Sequence, residues 1–354
     1  MMAAVLYGRE DVRIEQVPIP ALGPGEVRVR IGAALTCGTD VKVFRRGYHA
    51  RMIQPPALFG HEFAGVIEAV GPEAAKWRIG QRVVAANSAP CSVCFYCRRN
   101  REELCEDLLF LNGAYAETIT IPARIAARNL IPLPDSLAYE EAALAEPLAF
   151  VVRGMEAMPV QAGETIIVLG SGPIGLLFVR LCHLAGARVL AVGRRSARLA
   201  LAEHLGADEV FDIGETPDVV NALRERTEGG RGADKVIEAV GRPEAWEQAI
   251  ALARKAGTVS LFGGCPADTA ISLSTHRVHY DELTLLGTFH HTPRAFRAAL
   301  ELIASGQVPA QAFLQQRAPL ADLPHVLSAL AQGTDSAVKT VILPHLPFVL
   351  ARDH

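Results

Sequence analysis

Four cysteines, Cys91, Cys94, Cys97 and Cys105, fall within fifteen residues of the 354-residue chain. Their close spacing lets one irregular loop present four thiolates to a single point. Zinc takes four such ligands tetrahedrally, and a site with every corner filled leaves no position for a substrate. The quartet is therefore expected to hold a structural zinc. The chain has seven cysteines in all, an odd number in a long sequence. A disulfide scaffold is short, secreted and usually even in its count, so metal binding in a reducing compartment is the better reading.

A second chemistry is written into Gly170-Ser171-Gly172-Pro173-Ile174-Gly175, a G-x-G-x-x-G that follows a strand-like run and opens a helix-like one. In that context the glycines allow a tight turn, close approach to a pyrophosphate and close packing of helix on strand. The helix N-terminus then offers free N–H groups and partial positive charge to the anion. Gly170, Gly172, Pro173, Ile174 and Gly175 are the expected cofactor-binding residues. An acidic residue for the ribose hydroxyls is expected about 20 residues on. That place reads Gly193-Arg194-Arg195-Ser196, with no carboxylate. A small residue followed by arginines suits a 2′-phosphate. Arg194, Arg195 and Arg198 are accordingly candidate contacts, and NADP is expected ahead of NAD.

Three further fragments combine metal-ligand and proton-transfer types: Cys37-Gly38-Thr39-Asp40, Gly60-His61-Glu62 and Glu146-Pro147. Each alone is ordinary. The elements around them give them places. The first 150 residues carry short alternating runs such as Glu26 to Ala34 and Phe63 to Val70, bounded by Gly and Pro. These predict antiparallel strands in a small barrel-like body. From Gly163 the texture changes to strands alternating with helices. Strands are expected at Thr165–Leu169, Arg188–Val192, Lys235–Glu238, Thr258–Phe262 and Thr284–Thr288. Helices are expected at Ile174–Ala185, Ala197–Leu205 and Pro243–Arg254. Such alternation predicts a parallel sheet covered on both faces. The helix Pro293–Ser305 and the strand Lys339–Leu343 follow, and the tail His345–His354 is expected to be loosely held.

The bulk properties exclude several classes. A formal charge of −3 and a pI near 6.4 are wrong for a nucleic-acid binder. No apolar run reaches the ~18 residues of a membrane span. The N-terminus lacks the basic and apolar regions of a signal peptide, which predicts a cytoplasmic protein.

Together the Cys-Gly-Thr-Asp run, the Gly-His-Glu run, the cysteine quartet and the glycine motif, in that order, resemble the zinc-containing medium-chain dehydrogenase/reductase family. The pattern is most similar to its sorbitol and threonine dehydrogenase branch, and the resemblance covers essentially the whole chain. It implies an α/β protein: a GroES-like, β-rich catalytic domain over 1–148, a Rossmann doubly wound domain over 149–287, and a segment over 288–354 that returns to the first domain. It places the active site in the cleft between the domains. It also implies two zincs per chain, since Cys37 and His61 match ligands of a catalytic zinc and Cys91, Cys94, Cys97 and Cys105 match a structural one. Glu62 and Glu146 match carboxylates that bind that catalytic zinc directly or through water. Such a Cys/His/carboxylate site keeps a position open for substrate.

The resemblance further implies hydride transfer between a secondary alcohol and a nicotinamide cofactor. Thr39 matches a residue that hydrogen-bonds the substrate oxygen. The proton relay usually ends in a histidine five positions after the cysteine, and here Lys42 stands there. A lysine serves if its pKa is depressed. The loop Phe44–Gln54 carries Arg45, Arg46, His49 and Arg51, either as a cationic rim for substrate or as solvated charge. His290-His291 are read either as cleft-lining or as a hydrogen-bonded pair. Trp77, Trp246, Cys182 and Cys265 read as packing residues. The expected partner is a small alcohol or ketone, with no nucleic acid and no membrane, and the chain is expected to form a homodimer or homotetramer. Two other readings remain: a zinc-independent NADPH reductase and a non-catalytic dinucleotide-binding protein of the same fold. The cysteine quartet and the Cys/His/Glu set argue against the first of these.

Overall fold

The computed structural model of the chain describes residues 1–49 and 51–346. Most of the tail expected to be loose, residues 347–354, lies outside the described residues. The chain divides into two compact units, Met1–Ala149 with Thr292–His354, and Phe150–His291.

The first unit is built on a seven-stranded sheet. Its main path runs Leu130–Pro132, Arg82–Ala85, Glu62–Val70, Val27–Leu35, Lys339–Leu343 and Leu314–Pro319, and Thr118–Ile121 also pairs with Val27–Leu35. The pairs are antiparallel, except that Leu314–Pro319 runs parallel to Lys339–Leu343. The strand Lys339–Leu343 joins at Val341 opposite Leu35, so residues some 300 positions apart in sequence share one ladder. A smaller sheet sets Asp11–Gln16, Met2–Gly8 and Ala57–Leu58 side by side. Alternation buries one set of residues, including Val27, Val29 and Ile31, against Phe59, Phe63, Ile67 and Tyr115. Full burial of an apolar side chain of this size contributes about 1.5–3 kcal/mol.

The first 150 residues are not all β. A helix, Gly38–Arg46, follows the first long strand. Arg45 and Arg46 therefore lie in its last turn and not in a loop, as the sequence had suggested. Its start is fixed by Cys37 as N-cap, and its end by Gly47 in the left-handed conformation at φ 88°. A further helix, Ala145–Ala157, runs through the Glu146-Pro147 change of texture.

The second unit holds a six-stranded, wholly parallel sheet. Its order is Glu209–Asp212, Arg188–Gly193, Thr165–Leu169, Ala233–Glu238, Ala253–Leu261, Thr284–Gly287. In order of appearance this is the 3-2-1-4-5-6 arrangement of a dinucleotide-binding sheet. Strand order reverses between Thr165–Leu169 and Ala233–Glu238, and ligands bind outside the carboxyl ends of strands at such a point. The fifth strand begins at Ala253, five residues before the expected Thr258, so the helix before it stops at Leu252. Arg277 accounts for that stop, because its guanidinium donates to the carbonyls of Ile250 and Ala253. Trp77 and Cys182 are buried as packing residues. No helix among the described residues is long and apolar enough to cross a membrane.

Candidate active site

Two groups of metal-ligand side chains lie in the first unit: Cys91, Cys94, Cys97 and Cys105, and Cys37, His61 and Glu62. In each, the ligand atoms lie within 4.8 Å of one another. The cysteines are free, not disulfide-bonded. The Cys91–Cys97 and Cys94–Cys105 sulfur separations are both 4.0 Å. A tetrahedral zinc with bonds of ~2.3 Å wants sulfurs ~3.8 Å apart, so the quartet fits zinc as it stands. Peptide N–H groups point at the sulfurs: Cys91 N–H donates to Cys105 Sγ at 3.2 Å, and Cys94 N–H to Cys91 Sγ at 3.4 Å. The N–H groups of Cys97 and then Glu106 bring the Cys94 thiol down to about 6, the charge state a metal needs.

The second group is assembled from strand ends. Cys37 lies two residues past the strand Val27–Leu35 and caps the Gly38–Arg46 helix, with its sulfur accepting from Thr39 N–H at 3.4 Å. Asp40 returns the favour, accepting Cys37 N–H at 3.2 Å. Its other oxygen, Oδ1, lies 3.1 Å from His61 Nδ1, and both side chains are buried. The contact is an ion pair without the alignment of a hydrogen bond, and a carboxylate on that side of the ring leaves Nε2 for a metal. Burial alone would lower the His61 pKa, but Asp40 and Cys37 outweigh it and raise it well above the ordinary value. Tyr115 Oη lies 2.5 Å from Asp40 Oδ2.

Glu62 opens the strand Glu62–Val70 and is 0% exposed. Its Oε2 pairs with Lys339 Nζ at 2.5 Å, and that ammonium, 1% exposed, also donates to Thr36 O at 2.9 Å. Glu62 Oε1 is buried with no hydrogen-bond partner among the described residues, and the same holds for Glu146 Oε1. An unpartnered buried carboxylate oxygen is costly, and a cation between such oxygens, a thiol and an imidazole removes the cost. The donor set therefore fits zinc with a position left open. Glu146 falls outside the 4.8 Å group, yet it feels the charges of His61, Glu62 and Lys339. Burial pushes its pKa up to about 8.

Thr39 is half-buried in the first helical turn beside Cys37, and Lys42 is exposed on the same helix. His49 Nδ1 accepts the N–H groups of Arg51 and Met52 at 3.2 and 3.1 Å. Burial, with the charge of His61 next, lowers its pKa. His290 and His291 stack at 4.4 Å, and both meet Phe150 edge-on at about 5 Å. Three supports escaped the sequence reading. Asp40 was given no role. Lys339 gave only the signal of a lysine heading an apolar strand, and Tyr115 gave none.

In the second unit the glycine turn follows Thr165–Leu169 and Pro173 opens the helix Pro173–Leu184. A Cβ at Gly175 would lie 1.8 Å from Gly170 O, so the third glycine is a steric necessity. Ser171 Oγ donates to Arg194 O at 3.1 Å and accepts Arg194 N–H at 3.2 Å, tying the turn to the end of the second strand. That contact fills the space beside Gly193, where a Cβ would come 2.2 Å from Ser171 Oγ. The missing ribose carboxylate thus has no room in this arrangement. Arg194 is exposed, and Arg195 and Arg198 are half-buried. On the other side of the sheet's switch point Glu238, wholly buried, accepts the N–H groups of Val240 and Gly241 at 2.6 and 2.8 Å.

Comparison with known proteins identifies the family of the chain. The family described as alcohol dehydrogenase GroES-like domain matches residues 23–135, and that described as zinc-binding dehydrogenase matches residues 173–305. Sorbitol dehydrogenase of Bombyx mori is 31% identical, covering 96% of this chain and 97% of its own. L-threonine 3-dehydrogenase of Pyrococcus abyssi is 32% identical over 85% of this chain and 86% of its own. Among solved structures, a zinc-binding dehydrogenase from Sinorhizobium meliloti 1021 bound to NADP superposes with a TM-score of 0.88 at 30% identity, covering 97% of this chain and 99% of that one. The chain belongs to the zinc-containing medium-chain dehydrogenase/reductase family. It is an oxidoreductase that uses zinc and a nicotinamide cofactor to move a hydride to or from an alcohol carbon.

Proposed function

We propose that this enzyme oxidises a secondary alcohol of a polyol, amino alcohol or sugar derivative, or reduces the matching ketone, with NADP as its preferred cofactor. The observation that carries the reading is the unpartnered, buried Glu62 Oε1 beside Cys37 and His61. A carboxylate in place of a second thiolate makes a harder site, suited to a substrate with neighbouring hydroxyl or amino groups. The relatives whose names specify sorbitol and threonine support the same class.

In this reading Cys37, His61 and Glu62 hold one zinc, with Glu146 binding directly or through water. The four loop cysteines hold a second. Bound zinc supplies Lewis acidity that makes the alcohol proton labile near neutral pH and polarises the ketone, and the nicotinamide takes up or gives the hydride. The chain's own residues do the rest. Asp40 faces the His61 ring at Nδ1 as its ion-pair partner and holds it by charge. Thr39 hydrogen-bonds the substrate oxygen through its hydroxyl and hands its proton on to water, and Lys42, solvent-exposed on the same helix, lacks the burial that a proton-accepting lysine needs. The amide groups at the start of the Pro173–Leu184 helix receive the pyrophosphate. Arg194, Arg195 and Arg198 receive the 2′-phosphate, a preference supported by the packed space beside Gly193.

A homodimer or homotetramer is supported by the terminal position of Thr284–Gly287 in its sheet, where one strand edge lies open to pairing. A quartet of cysteines without disulfides, Cys91, Cys94, Cys97 and Cys105, supports a reducing, cytoplasmic setting. The deciding experiment screens polyols, amino alcohols and sugar phosphates with both NAD and NADP, following reduced-nicotinamide absorbance, together with metal analysis. Two zincs per chain and NADP-linked turnover are expected. A chain with one zinc or none sinks the metal assignment, and a clear preference for NAD sinks the arginine assignment.

A further inference from the structure

We propose that Tyr115 is a positioning residue for the open metal site: its hydroxyl holds Asp40, and through Asp40 it fixes the ring of His61. The contacts form one chain. Tyr115 Oη is 2.5 Å from Asp40 Oδ2, and Asp40 Oδ1 is 3.1 Å from His61 Nδ1. The hydroxyl also lies 3.0 Å from Leu35 O, at the end of the strand that leads into Cys37. One side chain thus reaches both fragments that carry candidate ligands. It is 0% exposed, so its polar atom was removed from water to make these contacts. A hydroxyl buried without partners costs a few kcal/mol, and a phenylalanine would fill the same apolar space without that cost.

The backbone serves the same end. Tyr115 N–H donates to Phe59 O at 3.0 Å, while Gly113 and Ala114 both donate to Gly60 O at 2.9 and 3.1 Å. The ring lies flush on Gly60, where any Cβ would come 2.5 Å from it. Gly60 also stands at φ +89°, a conformation that glycine adopts freely. The peptide before His61 is therefore clamped from the backbone side, and the imidazole from the side-chain side, by one short segment. Burial, reinforced by Asp40, holds the tyrosine pKa well above its ordinary value. The group stays a hydrogen-bond donor, which is what a carboxylate supporting a histidine ligand requires.

This inference rests on the proposal that Cys37, His61 and Glu62 bind zinc, and its test separates the two. Wild type, Tyr115→Phe, Asp40→Asn and the double variant are compared for zinc per chain, zinc affinity by chelator competition, and the visible spectrum after cobalt(II) exchange. Tyr115→Phe is expected to fold, to keep the zinc of the cysteine loop, and to bind the other zinc about 10-fold more weakly. Its cobalt d–d bands should shift, and kcat should fall while KM for NADP does not change. If Tyr115 acts through Asp40, the double variant binds zinc no more weakly than Asp40→Asn alone. Wild-type affinity and spectrum in folded Tyr115→Phe, or additive losses in the double variant, overturn the proposal. Should Tyr115→Phe fail to fold, 3-fluorotyrosine at position 115 keeps the ring and makes the hydroxyl a stronger donor. Shifted cobalt bands then support the proposal and unchanged bands overturn it. A wild-type chain lacking the open-site zinc refutes the metal reading itself.

Discussion

The four cysteine sulfurs come from fifteen consecutive residues and are held largely by peptide N–H groups of that same loop. Cys37 and the His61-Glu62 pair come from two separate segments and are held by Asp40, Tyr115 and Lys339, the last of them 277 residues from its partner Glu62. The first cluster satisfies a metal completely. The second leaves buried oxygens unsatisfied and depends on the sheet around it. A closed, local site stiffens the chain that makes it, and an open site assembled over long range has chemistry as its purpose. If that contrast is right, damage to the two clusters should register in different measurements.

The largest effect should follow Cys37→Ser. Serine keeps the size and still accepts the Thr39 N–H that caps the helix. It is a poor ligand for zinc at neutral pH. We expect kcat/KM to fall by about a thousandfold, equivalent to ~4 kcal/mol of transition-state stabilisation. Metal analysis should find the loop zinc alone, with melting temperature little changed. A variant that keeps both zincs and its turnover would break the comparison at its centre.

Next comes Lys339→Met, which fills the volume and removes the charge. Stranding a buried carboxylate costs about 3–5 kcal/mol. Denaturant titration should show that loss in metal-free protein. Zinc should return part of it, because the cation takes over the role of the ammonium towards Glu62. Equal destabilisation with and without zinc would mean that Glu62 does not face the metal.

The same contrast explains what could be read in advance. The cysteine loop was legible because its ligands are neighbours, and spacing alone encodes the geometry. The glycine turn was legible for the same reason: Gly170 to Gly175 is a local steric device. Cys37, His61 and Glu62 had only weak local signals, and it took the resemblance to a family to group them. Their supports carried less. Lys339 looks like any lysine at a strand start until register sets it in the sheet, and Tyr115 sits in a short apolar stretch before the strand Thr118–Ile121, with nothing local to mark its hydroxyl. The helix Gly38–Arg46 was missed because its start is set by a reciprocal Cys37–Asp40 box, whose capping side chain is a thiol in place of the usual oxygen. The early start of the strand at Ala253 depends on Arg277, more than twenty residues away, and no local propensity encodes it.

A smaller effect is expected from Cys97→Ala, in the closed cluster. The loop zinc should be lost and stability should fall by about 2–3 kcal/mol, in the range of a lost structural metal. At a temperature where the variant stays folded, kcat should remain within about twofold of wild type, since nothing in the open cluster is touched. Timed chelation of the wild-type enzyme offers the same division. Activity should disappear with the first zinc released, and melting temperature should drop with the second. A kcat loss in Cys97→Ala as large as that in Cys37→Ser would show that the two clusters are not independent.

The smallest expected effect comes from a third region and serves as the control. Arg194 is exposed at the end of the strand Arg188–Gly193, held through its backbone by Ser171. Its guanidinium carries no part of either metal cluster. Arg194→Ala should therefore retain both zincs and the wild-type melting temperature. If the arginine meets a 2′-phosphate, losing one charge-assisted contact raises KM for NADP by about tenfold, or ~1.4 kcal/mol. KM for NAD should not move, because NAD has no phosphate there. A variant with KM for NADP unchanged would reassign Arg194 to solvent and leave the packed space beside Gly193 without a functional reason. A variant that loses zinc would be more damaging, because it would tie the nucleotide turn to metal sites that share no residue with it.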